Sequence, residues 1–252
     1  MIRLEKQGDV FVLAMAEGEN RWNTTFVRAY DEALDEVTAS EGPAALVTVS
    51  DNEKFFSNGL DLAWISSEGE HPGGNRETFS SEVMTLFARM ITFPIPTVCA
   101  INGHAFGAGF MIALCHDVRV MREDRGYLCA NEIELGFCIP EPELAMFRHK
   151  IPMNAFFETV QLARRWKAVD AHAAGIVQQV VDKDGLRDEA IKTAEGLVKL
   201  SKNREVYGWM KEHIYGENAA INGIHGPAYM LRNQSMYPRG PGHIPSKPPK
   251  SR

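Results

Sequence analysis

Apolar and polar positions along the chain switch repeatedly between two periods. Val10 to Met15 and Ala44 to Val49 are short β-branched runs bounded by Gly, Asp and Pro, the signature of strands buried on at least one face. Between them, Phe26, Tyr30, Leu34 and Val37 recur at spacings of four, four and three, which predicts an amphipathic helix capped by Asn23 or a neighbouring Thr. The beat repeats. Thr78 to Phe93 reads as a helix, Thr97 to Ile101 as a strand, Phe110 to Leu114 as a helix opening at glycines, and Val118 to Met121 as a strand. Such alternation predicts an α/β fold of βα units around sheets buried on both sides. After Pro140 the pattern turns helical over Pro142 to Lys150, Pro152 to Ala163 and Leu186 to Leu200, with Val177 to Val181 extended. We divide the chain into a core over residues 1–195, a helical region over 196–236 and a Pro-rich, basic, mobile tail over 237–252.

Charge refines this picture. The net charge is −6, and the segment from Arg239 onward carries four positive residues and no acidic one, leaving −10 for the rest. A chain this acidic is unsuited to neutralising nucleic-acid phosphates. The tail's prolines and glycines bury too little surface to offset their ordering entropy. The opening MIRLEKQGDVFVLAM holds no signal-like apolar stretch, so the chain reads as intracellular, cytoplasmic with the peroxisome as alternative. The terminal Lys250-Ser251-Arg252 does not match SKL. Ile91 to His116 is long and free of Asp, Glu, Lys and Arg, but Pro94, Pro96 and three glycines interrupt it, and it predicts no membrane span. Cys99, Cys115, Cys129 and Cys138 lack CxxC spacing and read as buried small hydrophobes.

Several motifs fall away. Gly103, Gly107 and Gly109 lack dinucleotide-fingerprint spacing, and GxxxxGK[ST], HExxH and GxSxG are missing. His71-Pro72-Gly73-Gly74 reads as a surface turn. His104, His116, His149 and His172 share no ligand spacing, so no metal is implied.

Two glycine turns remain, each placing a backbone N–H after a strand and before a helix: Lys54-Phe55-Phe56-Ser57-Asn58-Gly59-Leu60-Asp61-Leu62, and Asn102-Gly103-His104-Ala105-Phe106-Gly107-Ala108-Gly109-Phe110. In the second, small residues let the backbone approach a ligand, and the following helix offers its positive end. Two such N–H groups converging on one oxygen would form an oxyanion hole.

Together with ANEIELGFCIP and RRWKAVDAHAAGIVQQVV, these turns resemble the crotonase (enoyl-CoA hydratase/isomerase) superfamily, over roughly Ile2 to Tyr215. The resemblance implies a crotonase-like spiral of ββα units with a helical C-terminal trimerisation region, assembled as a homotrimer or hexamer. It implies acyl-CoA thioesters as substrates, coenzyme A being part of the substrate and no separate cofactor being needed. By the same resemblance, the thioester oxygen is held by the N–H groups of Leu60 and Ala108. Ser57, Gly59, Leu62, Gly107 and Met111 would line the substrate site. Arg21 falls where a basic residue often lies near coenzyme A; a solvated surface charge is the equal alternative. Asp61 stands in the same turn, with helix capping as its favoured role.

The acid/base positions discriminate among activities. Hydratases of the superfamily usually carry two glutamates, and the first of these positions is Met111 here. A thioether cannot polarise a water. The second is Glu132, in an Asn131-Glu132…Leu135-Gly136 segment similar to that of Δ3,Δ2-enoyl-CoA isomerases. Desolvation among Phe55, Phe56 and Met111 would raise its pKa toward that of an effective base. Glu134 competes only if the segment is a strand; otherwise both carboxylates could pair with Arg122 or Arg125. The run Gly136 to Pro140 is one residue longer than the family pattern, and Glu141 and Glu143 just beyond it could reach the pocket, with helix-start carboxylates facing the dipole as the favoured reading. The expected activity is isomerisation of 3-enoyl-CoA. A hydratase or other thioester enzyme of the superfamily, and a non-catalytic acyl-CoA-binding or scaffold module, are the alternatives.

Overall fold

The computed structural model describes residues 1–67 and 74–240. Its strands are β1 (Ile2–Gln7), β2 (Val10–Met15), β3 (Ala45–Ser50), β4 (Phe55–Ser57), β5 (Thr97–Ile101), β6 (His104–Phe106), β7 (Val118–Arg122), β8 (Leu128–Cys129) and β9 (Gln179–Val181). The principal helices are α1 (Thr24–Ala39), α2 (Leu62–Ser66), α3 (Phe79–Ile91), α4 (Ala108–Cys115), α5 (Glu141–Lys150), α6 (Met153–Val160), α7 (Ala168–Ala173), α8 (Leu186–Leu197), α9 (Arg204–Tyr215), α10 (Ala219–Asn222) and α11 (Pro227–Arg232).

Strands alternate between two sheets. A six-stranded sheet has the order β1-β2-β3-β5-β7-β9, parallel apart from the β1–β2 hairpin, and β4-β6-β8 form a parallel three-stranded sheet. Each of β3, β5 and β7 is thus followed by a short strand of the small sheet and then by helix, which is the ββα spiral expected from the resemblance. Both faces of the large sheet are covered. Phe11, Leu13 and Met15 enter one apolar cluster with α1, α3 and α4, while Val10, Val12 and Ala14 enter a second with Ala190 and Ala194 of α8. Parallel strands with no solvated face account for the unbroken apolar runs.

Local chemistry sets the boundaries. Asn23 caps α1, its side chain accepting from the Phe26 N–H at 2.9 Å. The three strands of the small sheet and the charged edge strand β1 leave no apolar run to read. The boundary placed at 195/196 falls inside α8; past its end, Ser201 Oγ is bonded to Ala44 N at 2.9 Å and Ala44 O at 2.6 Å, tying this segment to the core. Cys138 is exposed, unlike the other cysteines, which corrects its reading as a buried hydrophobe. No helix among the described residues is long and apolar enough to cross a membrane. The turn expected at residues 71–73 and the tail beyond Gly240 lie outside the described residues.

Candidate active site

The first glycine turn leaves β4 and runs into α2. Gly59, at φ +75°, lets the next residues run beside Trp22, whose N–H donates to Gly59 O (2.9 Å) and whose carbonyl accepts from Asp61 N (2.9 Å). Neighbouring amides of an extended segment point to opposite sides, so the Leu60 N–H faces away from Trp22. The Asp61 carboxylate accepts from the Trp64 N–H at 3.0 Å, so it caps α2. Ser57 is fully buried. Its Oγ accepts from Trp22 Nε1 (3.0 Å) and Gly59 N (3.2 Å) and donates to Asn20 O (2.8 Å). Asp61 and Ser57 thus hold the turn, and the expected contact of Ser57 with a ligand is corrected: its hydroxyl has no free face.

The second turn leaves β6 and starts α4. Gly107, at φ +50° and ψ −120°, occupies a conformation closed to other residues, and its carbonyl accepts from Phe110 N and Met111 N. Ala108 therefore stands in the first turn of α4, where amides have no partner four residues back. The turns meet closely. A Cβ on Gly59 would lie 2.6 Å from Phe106 O and 3.4 Å from Ala108 N, and one on Gly109 would lie 2.4 Å from Ser57 O. Among the described residues neither the Leu60 nor the Ala108 N–H donates to a protein acceptor.

Glu132 approaches the same point from a third element. Its backbone is helical and leads into a 3₁₀ turn, Ile133–Leu135, closed by Gly136 in the left-handed region. A Cβ on Gly107 would be 3.1 Å from Glu132 Oε1 and would press on the carboxyl, while the positive φ is what favours glycine there. Glu132 Oε2 is buried without a hydrogen-bond partner. Burial pushes this carboxyl up to about 7, only partly offset by a hydrogen bond from its own backbone. The helical turn points Glu134 outward, where it pairs bidentately with Arg165 at 2.9 and 2.7 Å. Its partner is not Arg122, which binds Asp124, nor Arg125, which donates to Glu53 O.

A cavity joins these groups. Leu60, Leu62, Ala108, Met111 and Glu132 line it, together with Glu143, for which the pocket was the less favoured alternative, and with Met84 of α3, Phe137 and Arg239, to which the sequence did not point. Phe55 packs on His104 and Phe56 lies in the core, so of the three apolar groups expected around Glu132 Met111 lines the cavity and the two phenylalanines do not. Arg21 lies outside the cavity, exposed and bonded to Glu19, which also accepts from Asn58 of the first turn.

Two further expectations are corrected. Glu141 is exposed, but Glu143 is 9% exposed and turned into the cavity. The signal was present: Met146 and Phe147, three and four residues on, put Glu143 on the apolar face of α5. The start of the tail is ordered over the site. Arg239 donates to Ser80 Oγ and Gln234 Oε1, and Gly240 abuts Cys138. Among the described residues no group of three or more His, Cys, Asp or Glu could hold a metal ion.

Known proteins resemble this chain in sequence and in fold. The model of the enoyl-CoA hydratase/isomerase family matches residues 5–230. Enoyl-CoA delta isomerase 2, peroxisomal, of Arabidopsis thaliana is 32% identical over 234 residues, 89% of this chain and 96% of its own. Enoyl-CoA delta isomerase 1, peroxisomal, of the same plant is 33% identical over 86% of this chain and 90% of its own. In fold, the chain resembles human mitochondrial delta3-delta2-enoyl-CoA isomerase, with TM-score 0.79, 21% identity and coverage of 93% and 87%. An enoyl-CoA hydratase of Mycobacterium ulcerans gives TM-score 0.77 at 22% identity, covering 92% and 95%. With a family match across most of its length and relatives above 30% identity, this chain belongs to the enoyl-CoA hydratase/isomerase family.

Proposed function

We propose that the protein is a Δ3,Δ2-enoyl-CoA isomerase that moves the double bond of a 3-enoyl-CoA into conjugation as 2-trans-enoyl-CoA. The observation that carries the proposal is a single one: Glu132 holds an unpartnered carboxyl oxygen in an apolar cavity shared with the uncommitted N–H groups of Leu60 and Ala108 and with Met111. The thioester oxygen accepts from the two amides, which acidifies C2. Glu132 removes a C2 proton, the charge spreads through a dienolate held by the same donors, and protonation at C4 completes the shift. Met111 is 3% exposed and offers no acceptor for a water at the position where hydratases of the superfamily usually carry their first glutamate.

Leu62 extends the apolar wall along the acyl chain, and Gly59 and Gly107 bring the donors together. Arg21 serves the coenzyme A end from outside the cavity. The assembly we propose is a homotrimer or hexamer, because α9, α10 and their neighbours leave Val206, Trp209, Met210, Ile214, Ile221 and Ile224 exposed. The peroxisomal names of two relatives favour that compartment over the cytoplasm.

The test supplies 3-enoyl-CoA in water enriched in heavy oxygen. Conjugated enoyl-CoA without label is the expected product, and efficient formation of labelled 3-hydroxyacyl-CoA would transfer the protein to the hydratases.

A further inference from the structure

We infer that Glu143 is a second proton-transfer residue of this cavity, delivering the proton to C4 while Glu132 removes the one at C2. The inference deepens the isomerase reading and rests on it. Glu143 enters from the first turn of α5, on the far side of the Gly136 to Pro140 loop from Glu132, so the carboxyls belong to different elements facing one space. Glu143 is 9% exposed, and its carboxyl opens onto the cavity.

Glu132 Oε1 lies against Gly107, next to the Ala108 amide, whereas Glu143 lines the same cavity from α5, within electrostatic reach of both Glu132 and Arg239. An acyl chain whose thioester oxygen rests on the Leu60 and Ala108 amides has C2 nearest Glu132, with C4 farther along the cavity. Two carboxyls in one apolar space resist holding two negative charges. Burial, then the neighbouring Glu132, push Glu143 up to about 8, against an opposing pull from Arg239. Near neutrality such a pair holds one proton between its two carboxyls, so that one can serve as base while the other serves as acid.

The step balances. Glu132 takes a proton from C2 and the C–H electron pair enters the dienolate. Glu143 gives its proton to C4, the C2–C3 double bond forms, and the thioester carbonyl is restored. Glu132 is left protonated and Glu143 ionised, and passage of the proton from Glu132 to Glu143, directly or through water, resets the site.

Single turnover of 3-enoyl-CoA dideuterated at C2, in ordinary water, tests this. The native protein should carry no deuterium from C2 to C4. In Glu143→Gln, Glu132 must do both jobs, so deuterium should appear at C4, kcat should fall about 10²-fold or more, and the alkaline limb of the pH–rate profile should vanish. Glu143→Leu, which suits the apolar face, should behave alike, with acyl-CoA binding and thermal unfolding reporting on folding. Equal transfer in native protein and variant, whether zero or not, or full kcat in Glu143→Gln, would overturn the inference. Cleavage of the C2–D bond should persist in Glu143→Gln and stop in Glu132→Gln. Persistence in Glu132→Gln would instead strike the base assignment beneath it.

Discussion

Two acidic side chains near opposite ends of α4 meet burial differently. Asp117, just past the C-terminus, has one carboxylate oxygen that accepts from Thr97 N at 2.8 Å, Thr97 Oγ1 at 3.1 Å, Lys211 Nζ at 2.8 Å and Tyr207 OH at 3.2 Å. Burial pushes this group up, but Lys211, Lys150 and the hydrogen bonds outweigh it and leave the carboxyl below its usual range. Glu132, across from the N-terminus, is pushed up by the same burial and has no side-chain partner to pull it back. Burial is common to both, and the partners decide the outcome. One site fastens α9 to the core at the start of β5; the other leaves a carboxyl raised toward neutrality, as the proposed base requires.

The sharpest way to break this comparison is Glu132→Gln. Isomerisation should fall by about 10²–10⁴ with acyl-CoA binding retained, measured by absorbance of the conjugated thioester and by isothermal titration. Stability should respond in the opposite sense to activity. A carboxyl raised on folding from 4.5 to about 7 contributes stability below the lower value that is lost as pH rises through the upper. Denaturant melts should therefore show the native protein losing ground to Glu132→Gln across that window.

Next in size is Ala108→Pro. Proline is tolerated in the first turn of a helix, so the substitution removes one N–H with little else, and kcat should drop about 10²–10³-fold. Full activity in a folded variant would mean that Ala108 is not a donor.

Asp117→Asn should reverse the pattern, leaving chemistry intact and costing stability of up to about 3–5 kcal/mol, because Lys211 loses its buried counter-charge. The sign with pH is opposite to that of Glu132. A lowered carboxyl contributes stability above its unfolded value, and this is lost as pH falls through the folded one, so native and variant curves should converge in acid.

Legibility in sequence followed the range of the forces involved. The large sheet was readable because its strands are buried on both faces and carry continuous apolar runs. That Glu132, Leu60 and Ala108 share one cavity was legible because glycines at 59, 107 and 109 mark local backbone and close packing. The small sheet was not, since strands of two or three residues between turns gain their pairing only from distant segments. Glu143 was legible only as an alternative: Met146 and Phe147 place it on the apolar face of α5, but a glutamate in a first helical turn also suits the helix dipole, as the exposed Glu141 does. Arg239 carried no local signal, because only the docking of the chain after α11 brings it to the cavity.

The central claim is that Glu132 is a base because it is buried without a partner. Carbon-13 NMR of protein labelled at the glutamate side-chain carboxyls tests it directly, with the Glu132 resonance identified by its loss in Glu132→Gln. A midpoint near 7 is predicted. A midpoint in the ordinary glutamate range, about 4.3, would contradict the account.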